Sequence, residues 1–327
     1  MNSSDRYECS KYLTTKEKLK ETLEEYGVAI IPNVLNNNEC NVMINDMWDY
    51  LEYTTQKWKY PIKRNDEESW EEIYKLTNDS LLFQFWNIGH SQMSWNVRQN
   101  PKVVDIFSYF WNEKPEDLLV SFDGASIQLP HEIIDSTYLE KSGKMYHTDQ
   151  SYINSSFKYL QSWITAFDVN KDDATLAFFE SSHKYHADFR NLLIEEPSKN
   201  DWYVLNDNEL LFYKERCEEK HIVCPKGSLV LWDGRTIHCG IQASIKRSVP
   251  NIRCISYLCY APRYFANPTN LKLKEIAFNE LRTTTHNPYK LTFKPLTPYI
   301  DAFDTSKFIT VINHPILSDL GKKLAGF

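Results

Sequence analysis

From Leu118 onward the chain breaks into short apolar runs separated by turn signals: LLVSFDGASIQL, LQSWITAFDV, TLAFF, HIVCP, SLVLWDG and IRCISYLCYAP. Such runs, bounded by Gly, Pro, Asp and Asn, read as strands. Because they follow a helical first third, they predict a mainly β domain with a helical layer (α+β), a sandwich or barrel rather than alternating βαβ units. In the helical third, TTKEKLKETLEEY (14–26) predicts a charged amphipathic helix ended by Gly27, and VAIIP a short buried strand after it. NNNECNVMINDMWDYLEYTTQKW (36–58) predicts a second helix, with Val42, Ile44, Met47 and Leu51 as apolar positions. A polar loop, KRNDEESWEE, then leads to a helix entered at Asn100-Pro101. After Pro262 a helix-like LKLKEIAFNELR precedes a tail rich in Pro and aromatic residues, expected to wrap the same domain. The division read from this pattern is a lead-in over 1–22, one domain over 23–263 and a packed extension over 264–327.

At 327 residues the chain is long enough for a large core. A net charge of −7 provides no basic field to gather phosphates, which argues against nucleic acid as a partner. No apolar run approaches the ~18 residues of a membrane span. The opening MNSSDRYECSKYLTTKEKLKE lacks the apolar core of a secretory signal. The seven cysteines are odd in number and never form C-x-x-C, which predicts reduced thiols and a cytoplasmic protein. Oligomeric state cannot be read from these features.

YHTDQSY (146–152) places His147 and Asp149 two apart. Alone this is weak, since His186-Ala-Asp188 repeats the spacing in a polar turn entering a helix. Three features of context favour the first pair. Residues i and i+2 of a strand share a face, so both side chains can reach one ion. A later strand-like run, PKGSLVLWDGRTIHCG, delivers His238. Fifteen positions after it, Arg253 opens IRCISYLCY, and an arginine facing into a barrel needs an anionic partner. Two imidazoles and a carboxylate on one face of an octahedral ion leave three positions open, the pattern of non-haem Fe(II) oxygenases. A 2-oxo acid can fill two of these and dioxygen the third, with a distal cation for its far carboxylate.

From Glu24 to about Pro262 these segments, in this order, resemble the phytanoyl-CoA dioxygenase family of Fe(II)/2-oxoglutarate oxygenases. EEYGVAIIPNVLNNNEC is similar to the family's opening and YHTDQSY to its H-x-D. LQSWITAFDVNKDDATLAFFESSHKYH resembles the strand, acidic turn and loop that follow. PKGSLVLWDGRTIHCG is similar to the second-histidine strand and RCISYLCYAPR to the cosubstrate strand. The resemblance implies a double-stranded β-helix (a cupin-like jelly roll) in which His147, Asp149 and His238 bind Fe(II), Arg253 anchors 2-oxoglutarate and Trp163 lies beside it. It also implies O2 as co-reactant, ascorbate as a supporting reductant, and hydroxylation of a small-molecule or acyl-type substrate with release of succinate and CO2. Related halogenases carry a small residue where Asp149 stands, so the carboxylate favours hydroxylation. Ser181 replaces the family's loop glycine and Ser228 a common acidic residue.

Two other classes stay open from the residues themselves: a cupin-like metal-binding protein without turnover, and a zinc-dependent hydrolase on the same ligands. Arg247, in the polar loop IKRSVPN, is the rival anchor to Arg253. Arg235 reads either as steadying the site or as a structural ion pair. The segment WNIGHSQMSWNVRQ (86–99) reads either as pocket lining or as a capping loop, Gln128 either as facing the cosubstrate or as a surface amide, and Trp163 either as beside the cosubstrate or as simple core. His183, His90, His131, His221 and His286 read as bracing histidines.

Overall fold

The computed structural model describes residues 5–77, 81–133, 144–193, 201–300 and 304–327. Helix α1 (Leu19–Tyr26) begins five residues later than the sequence pattern suggests. The reason is that Thr14 N–H donates to Ile30 C=O (2.9 Å), which holds residues 13–14 extended beside β1 (Val28–Ile31). Gly27 ends α1 at φ 77°, where an added Cβ would lie 2.6 Å from His183 Nδ1. Helix α2 (Asn37–Thr55) starts at a capping box: Glu39 N–H donates to Asn36 Oδ1 (3.0 Å) and Asn36 N–H to Glu39 Oε2 (2.7 Å). Its buried stripe is Met43, Met47, Trp48, Tyr50 and Leu51. Val42, expected among the apolar positions, is 48% exposed, because it sits one residue off that stripe. The expected polar loop holds a 3-10 turn over Glu67–Ile73 that buries Trp70, followed by the single turn α3 (Tyr74–Thr77). Helices α4 (Gln92–Arg98) and α5 (Pro101–Trp111) complete the first third.

The strands are β2 (Leu118–Val120), β3 (Ala125–Gln128), β4 (His147–Thr148), β5 (Leu160–Thr165) and β6 (Thr175–Phe179). They continue with β7 (Tyr203–Val204), β8 (Glu219–His221), β9 (Leu229–Asp233), β10 (His238–Ile241) and β11 (Arg253–Pro262). Between them lie α6 (His186–Arg190) and α7 (Asp207–Lys214), and after them α8 (Pro268–Asn279) and α9 (Asp319–Ala325). The first apolar run splits into β2 and β3 at Asp123-Gly124, where a Cβ on Gly124 would meet Phe83 C=O at 2.0 Å. In HIVCP the strand ends at His221, earlier than the run suggests.

Pairing is antiparallel throughout the named strands. One sheet runs β1-β9-β5-β11-β2 with β3 also on β11; the other runs β7-β4-β10-β6-β8. Period-2 alternation sorts the side chains into layers. Ala29, Ile31, Leu160, Ile164, Leu229, Leu231 and Leu258 join α2, α4 and α5 in the helical-layer core. Val28, Ile30, Trp163, Val230, Trp232 and Ile255 face the other way, onto Leu176 and Phe178 of β6, so that the two sheets share an inner core. The outer face of the second sheet packs under α6 and α7.

The C-terminal segment joins the helical layer. Leu281, Ile312 and Leu324 are part of its core, Leu296 C=O accepts from Trp86 N–H (2.6 Å), and Phe122 C=O accepts from Thr284 N–H (2.9 Å). The 86–99 segment is core rather than pocket lining: Trp86, His90, Trp95 and Arg98 are buried, and Ser91 caps α4.

Candidate metal centre

β4 is only two residues long, yet its pairing decides the site: His147 lies directly opposite His238 of β10. Asp149 has left the strand and reaches the same place through a bend fixed by Asp149 N–H donating to Gly234 C=O (3.1 Å). The three side chains converge, each offering a ligand atom within 4.8 Å of the others. Asp149 Oδ2 is 3.3 Å from His238 Nε2 and 3.7 Å from His147 Nε2, and the two imidazole centres are 4.4 Å apart.

Each imidazole is oriented by its own backbone. His147 Nδ1 bonds Met145 C=O (2.9 Å) and His238 Nδ1 bonds Thr236 C=O (2.8 Å). A carbonyl only accepts, so Nδ1 carries the proton in both rings and each Nε2 turns a bare lone pair toward the shared space. A backbone carbonyl on Nδ1 fixes ring and tautomer in the way that metal-binding imidazoles are usually held. Burial, and next the His238 ring, push His147 down to about 4, so it is neutral at ordinary pH. Burial alone would raise Asp149, but the facing imidazoles of His147 and His238 outweigh it and hold the carboxyl well below the usual range. Gln161 Nε2 also donates to Asp149 Oδ2 (2.8 Å). Two imidazoles that turn Nε2 toward one carboxylate suit a divalent transition metal.

The inner faces of β5 and β11 run away from this cluster in matched pairs: Gln161 opposite Cys259, then Trp163 opposite Tyr257. These levels are two residues, roughly 7 Å, apart. Arg253 starts β11 at the far end and reaches back, with its guanidinium 5.8 Å from the Trp163 ring centre. Its Nε donates to Ser126 Oγ (2.7 Å), an Nη to Ala174 C=O (2.6 Å), and it also bonds Tyr257. It is 7% exposed, and no carboxylate pairs with it among the described residues. Trp163 Nε1, alongside, is buried without an acceptor among the described residues. A buried cation and an orphan N–H form a donor-rich space that fits an anion.

Arg247 differs: its guanidinium is paired with Glu132 (2.5 Å) and Asp173 (3.0 Å), leaving no free charge for a ligand. Arg235 pairs with Asp233 (2.6 Å), and Gln128 bonds Gln242. His186 stacks on Tyr152 (4.3 Å) away from the cluster. Sequence reasoning missed Gln161 and Tyr257, although counting by twos from Trp163 and from Arg253 puts both on the inner face.

The family model described as phytanoyl-CoA dioxygenase matches residues 23–244, well over half of the chain and all three clustered residues. The chain belongs to the phytanoyl-CoA dioxygenase family. Along 85% of its length it is 22% identical to the Ava biosynthesis cluster protein O of Aspergillus versicolor, covering 89% of that protein. Among solved structures it is similar to a putative oxidoreductase from Salmonella typhimurium LT2, with TM-score 0.54 and 11% identity over 97% of this chain and 86% of that one. It is also similar to the GlcNAc inducible gene 2 protein of Candida albicans, with TM-score 0.52 and 14% identity over 99% and 82%. Those two likenesses are of fold. In this dioxygenase-family chain Ser181 holds φ 60°, a left-handed position that suits the glycine expected there. Ser181 is held by Tyr26 C=O accepting its N–H (2.9 Å) and Glu25 C=O accepting its Oγ–H (2.6 Å). Ser228 Oγ donates to Pro225 C=O (2.6 Å), closing the turn before β9. The family match stops nine residues before Arg253.

Proposed function

We propose that this chain is an Fe(II)/2-oxoglutarate-dependent dioxygenase that hydroxylates a C–H bond of a small-molecule or acyl-type substrate. The observation that carries the reading is the pair of imidazoles whose Nδ1 protons are spent on backbone carbonyls, leaving both Nε2 atoms beside Asp149. Bound there, Fe(II) with 2-oxoglutarate supplies the oxidising power that converts O2, the 2-oxo acid and a C–H bond into succinate, CO2 and an alcohol. The protein's part is to hold and orient. His147, Asp149 and His238 are the metal ligands, and Gln161 fixes the carboxylate oxygen that faces them. Arg253 receives the far carboxylate of the diacid, with Trp163 Nε1 and Tyr257 at its side. The apolar inner core of the two sheets keeps bulk water from this path.

The two facing sheets are read here as a double-stranded β-helix, with residues 23–263 forming the catalytic domain and 264–327 an extension of that same domain. Likeness to a protein of a biosynthesis cluster supports a small-molecule substrate. The seven free cysteines support a reducing, cytoplasmic setting. No helix among the described residues is long and apolar enough to cross a membrane.

The test is succinate release from 2-oxoglutarate with Fe(II), ascorbate and air. The native protein releases succinate and His147→Ala does not; a zinc hydrolase or a silent binding protein releases none. A His147→Ala variant that turned over at the native rate would sink the ligand assignment.

A further inference from the structure

Trp202 stands immediately before β7, an edge strand of the second sheet. Of the chain's nine tryptophans, seven are buried and Trp111 is half-buried; Trp202 is 55% exposed. Exposure alone decides nothing, since single apolar side chains are common on protein surfaces. What sets Trp202 apart is its neighbour, because its ring centre lies 6.2 Å from that of His147. Strand pairing explains the contact. His147 is opposite Val204, so Val204 and, two residues earlier, Trp202 share the strand face that carries His147. The pairing continues where Leu205 N–H donates to Tyr146 C=O (2.9 Å), which puts Met145, two residues before His147, on that face as well. Val204 and Met145 are both exposed.

The backbone that carries the indole is tied down on both sides. Before it, Asp201 pairs with Lys158 (3.0 Å) and accepts from Tyr159 Oη (2.7 Å) and Ser151 N–H (3.4 Å). After it, Tyr203 Oη donates to Glu209 Oε1 (2.5 Å). A large apolar ring is therefore held against water at a defined place. The metal cluster is also most open on this flank: the His147 side chain keeps 20% of its surface exposed and that of His238 only 4%. His238 has an indole of its own, Trp232, at 5.4 Å, but that ring is packed in the core between the sheets. Contiguous apolar surface left open beside a reactive centre marks a ligand's place.

We propose that Trp202 is a specificity-determining residue of this centre: with Val204 and Met145 it forms an open apolar wall beside His147 that takes the flat ring of a cyclic substrate. The inference rests on the metal-binding reading above and adds the shape of the compound. The wall is one-sided, and that selects shape. A rigid ring laid on an indole gains contact over a whole face and gives up little freedom. An acyl chain on the same wall touches along one edge and must freeze several torsions. The class is thus compounds whose reacting carbon belongs to, or is attached to, an aromatic or alicyclic ring, rather than linear acyl chains.

The full chain is loaded with Mn(II) and titrated with 2-naphthol and with octan-1-ol, which share a hydroxyl and differ in shape. NMR gives the affinity of each probe and, from the broadening of its lines by Mn(II), its nearness to the cluster. Trp202→Ala removes the platform, whereas Trp202→Phe keeps an aromatic face. Mn(II) affinity and melting temperature stay close to native in both variants, since an exposed side chain carries little stability. In the native protein Mn(II) broadens the naphthol lines. Naphthol affinity is expected to fall about tenfold in Trp202→Ala and to stay within about threefold of native in Trp202→Phe, with octan-1-ol changed by less than about threefold in either. Unchanged naphthol affinity in Trp202→Ala, an equal loss in Trp202→Phe or an equal loss for octan-1-ol overturns the proposal. So does naphthol that fails to bind the native protein, or binds it without broadening. All of these leave metal binding intact. If instead the native protein does not take up Mn(II), or His147→Ala takes it up equally well, the metal reading falls and this proposal with it.

Discussion

Replacing Arg253 with methionine should change ligand affinity and stability in opposite senses. In the ligand-free protein the guanidinium is a buried cation whose partners are a serine hydroxyl, a backbone carbonyl and a tyrosine, with no carboxylate to compensate it. Burial pushes its pKa below the ordinary arginine value, which is the mark of a charge the fold carries at a cost. Methionine fills similar volume and gives up hydrogen bonds worth about 1 kcal/mol each, while removing the desolvated charge. The ligand-free melting temperature should therefore stay level or rise. When 2-oxoglutarate binds, its far carboxylate loses its cation. Removing one partner of a buried pair costs about 3–5 kcal/mol, and each 1.4 kcal/mol is tenfold, so Kd should rise by roughly two to three and a half powers of ten. The assay is calorimetric titration of 2-oxoglutarate into the Mn(II)-loaded protein, with thermal unfolding in parallel. Affinity within threefold of native would show that Arg253 is a structural cation and that the diacid is anchored elsewhere.

Two further outcomes follow from single contacts. Gln161→Leu removes the 2.8 Å donor to Asp149 Oδ2, and Co(II) titration should show metal affinity reduced about 10–100-fold; unchanged affinity would mean that the carboxylate is oriented without it. Lys274 is buried with Val120 C=O as acceptor (2.7 Å), and burial, then the charge of Arg98, holds its pKa well below its ordinary value of 10.5. Below pH 10.5 the unfolded chain binds this proton and the native one does not, so native stability falls as pH falls toward the depressed value. Lys274→Met should stabilise the protein by roughly 1–3 kcal/mol at neutral pH and flatten that slope; chemical denaturation that showed the same change at pH 7 and pH 9, or a loss at pH 7, would contradict this reading.

Much of the centre was legible because it depends on local periodicity. Arg253, Tyr257, Trp163 and Gln161 share an inner face simply because their strands alternate, and the same alternation explains why Leu160 and Leu258 pack against helices instead. Reading failed where a backbone group was claimed from far away. Thr14 is extended because Ile30 accepts its N–H, and Asp149 leaves the strand because Gly234 accepts its own. No window of neighbouring residues contains either partner.

What the sequence determined by itself is the supply of chemistry: two imidazoles, one carboxylate and an arginine, each next to a strand whose face could be counted. What only the tertiary structure decided is which of them meet and which charges are already neutralised. Antiparallel pairing sets His147 against His238, while Glu132 and Asp173 neutralise Arg247 and no acid among the described residues reaches Arg253. The physical reason is range. Alternation is set by neighbouring dihedral angles, whereas burial and charge balance depend on every segment that packs against a residue.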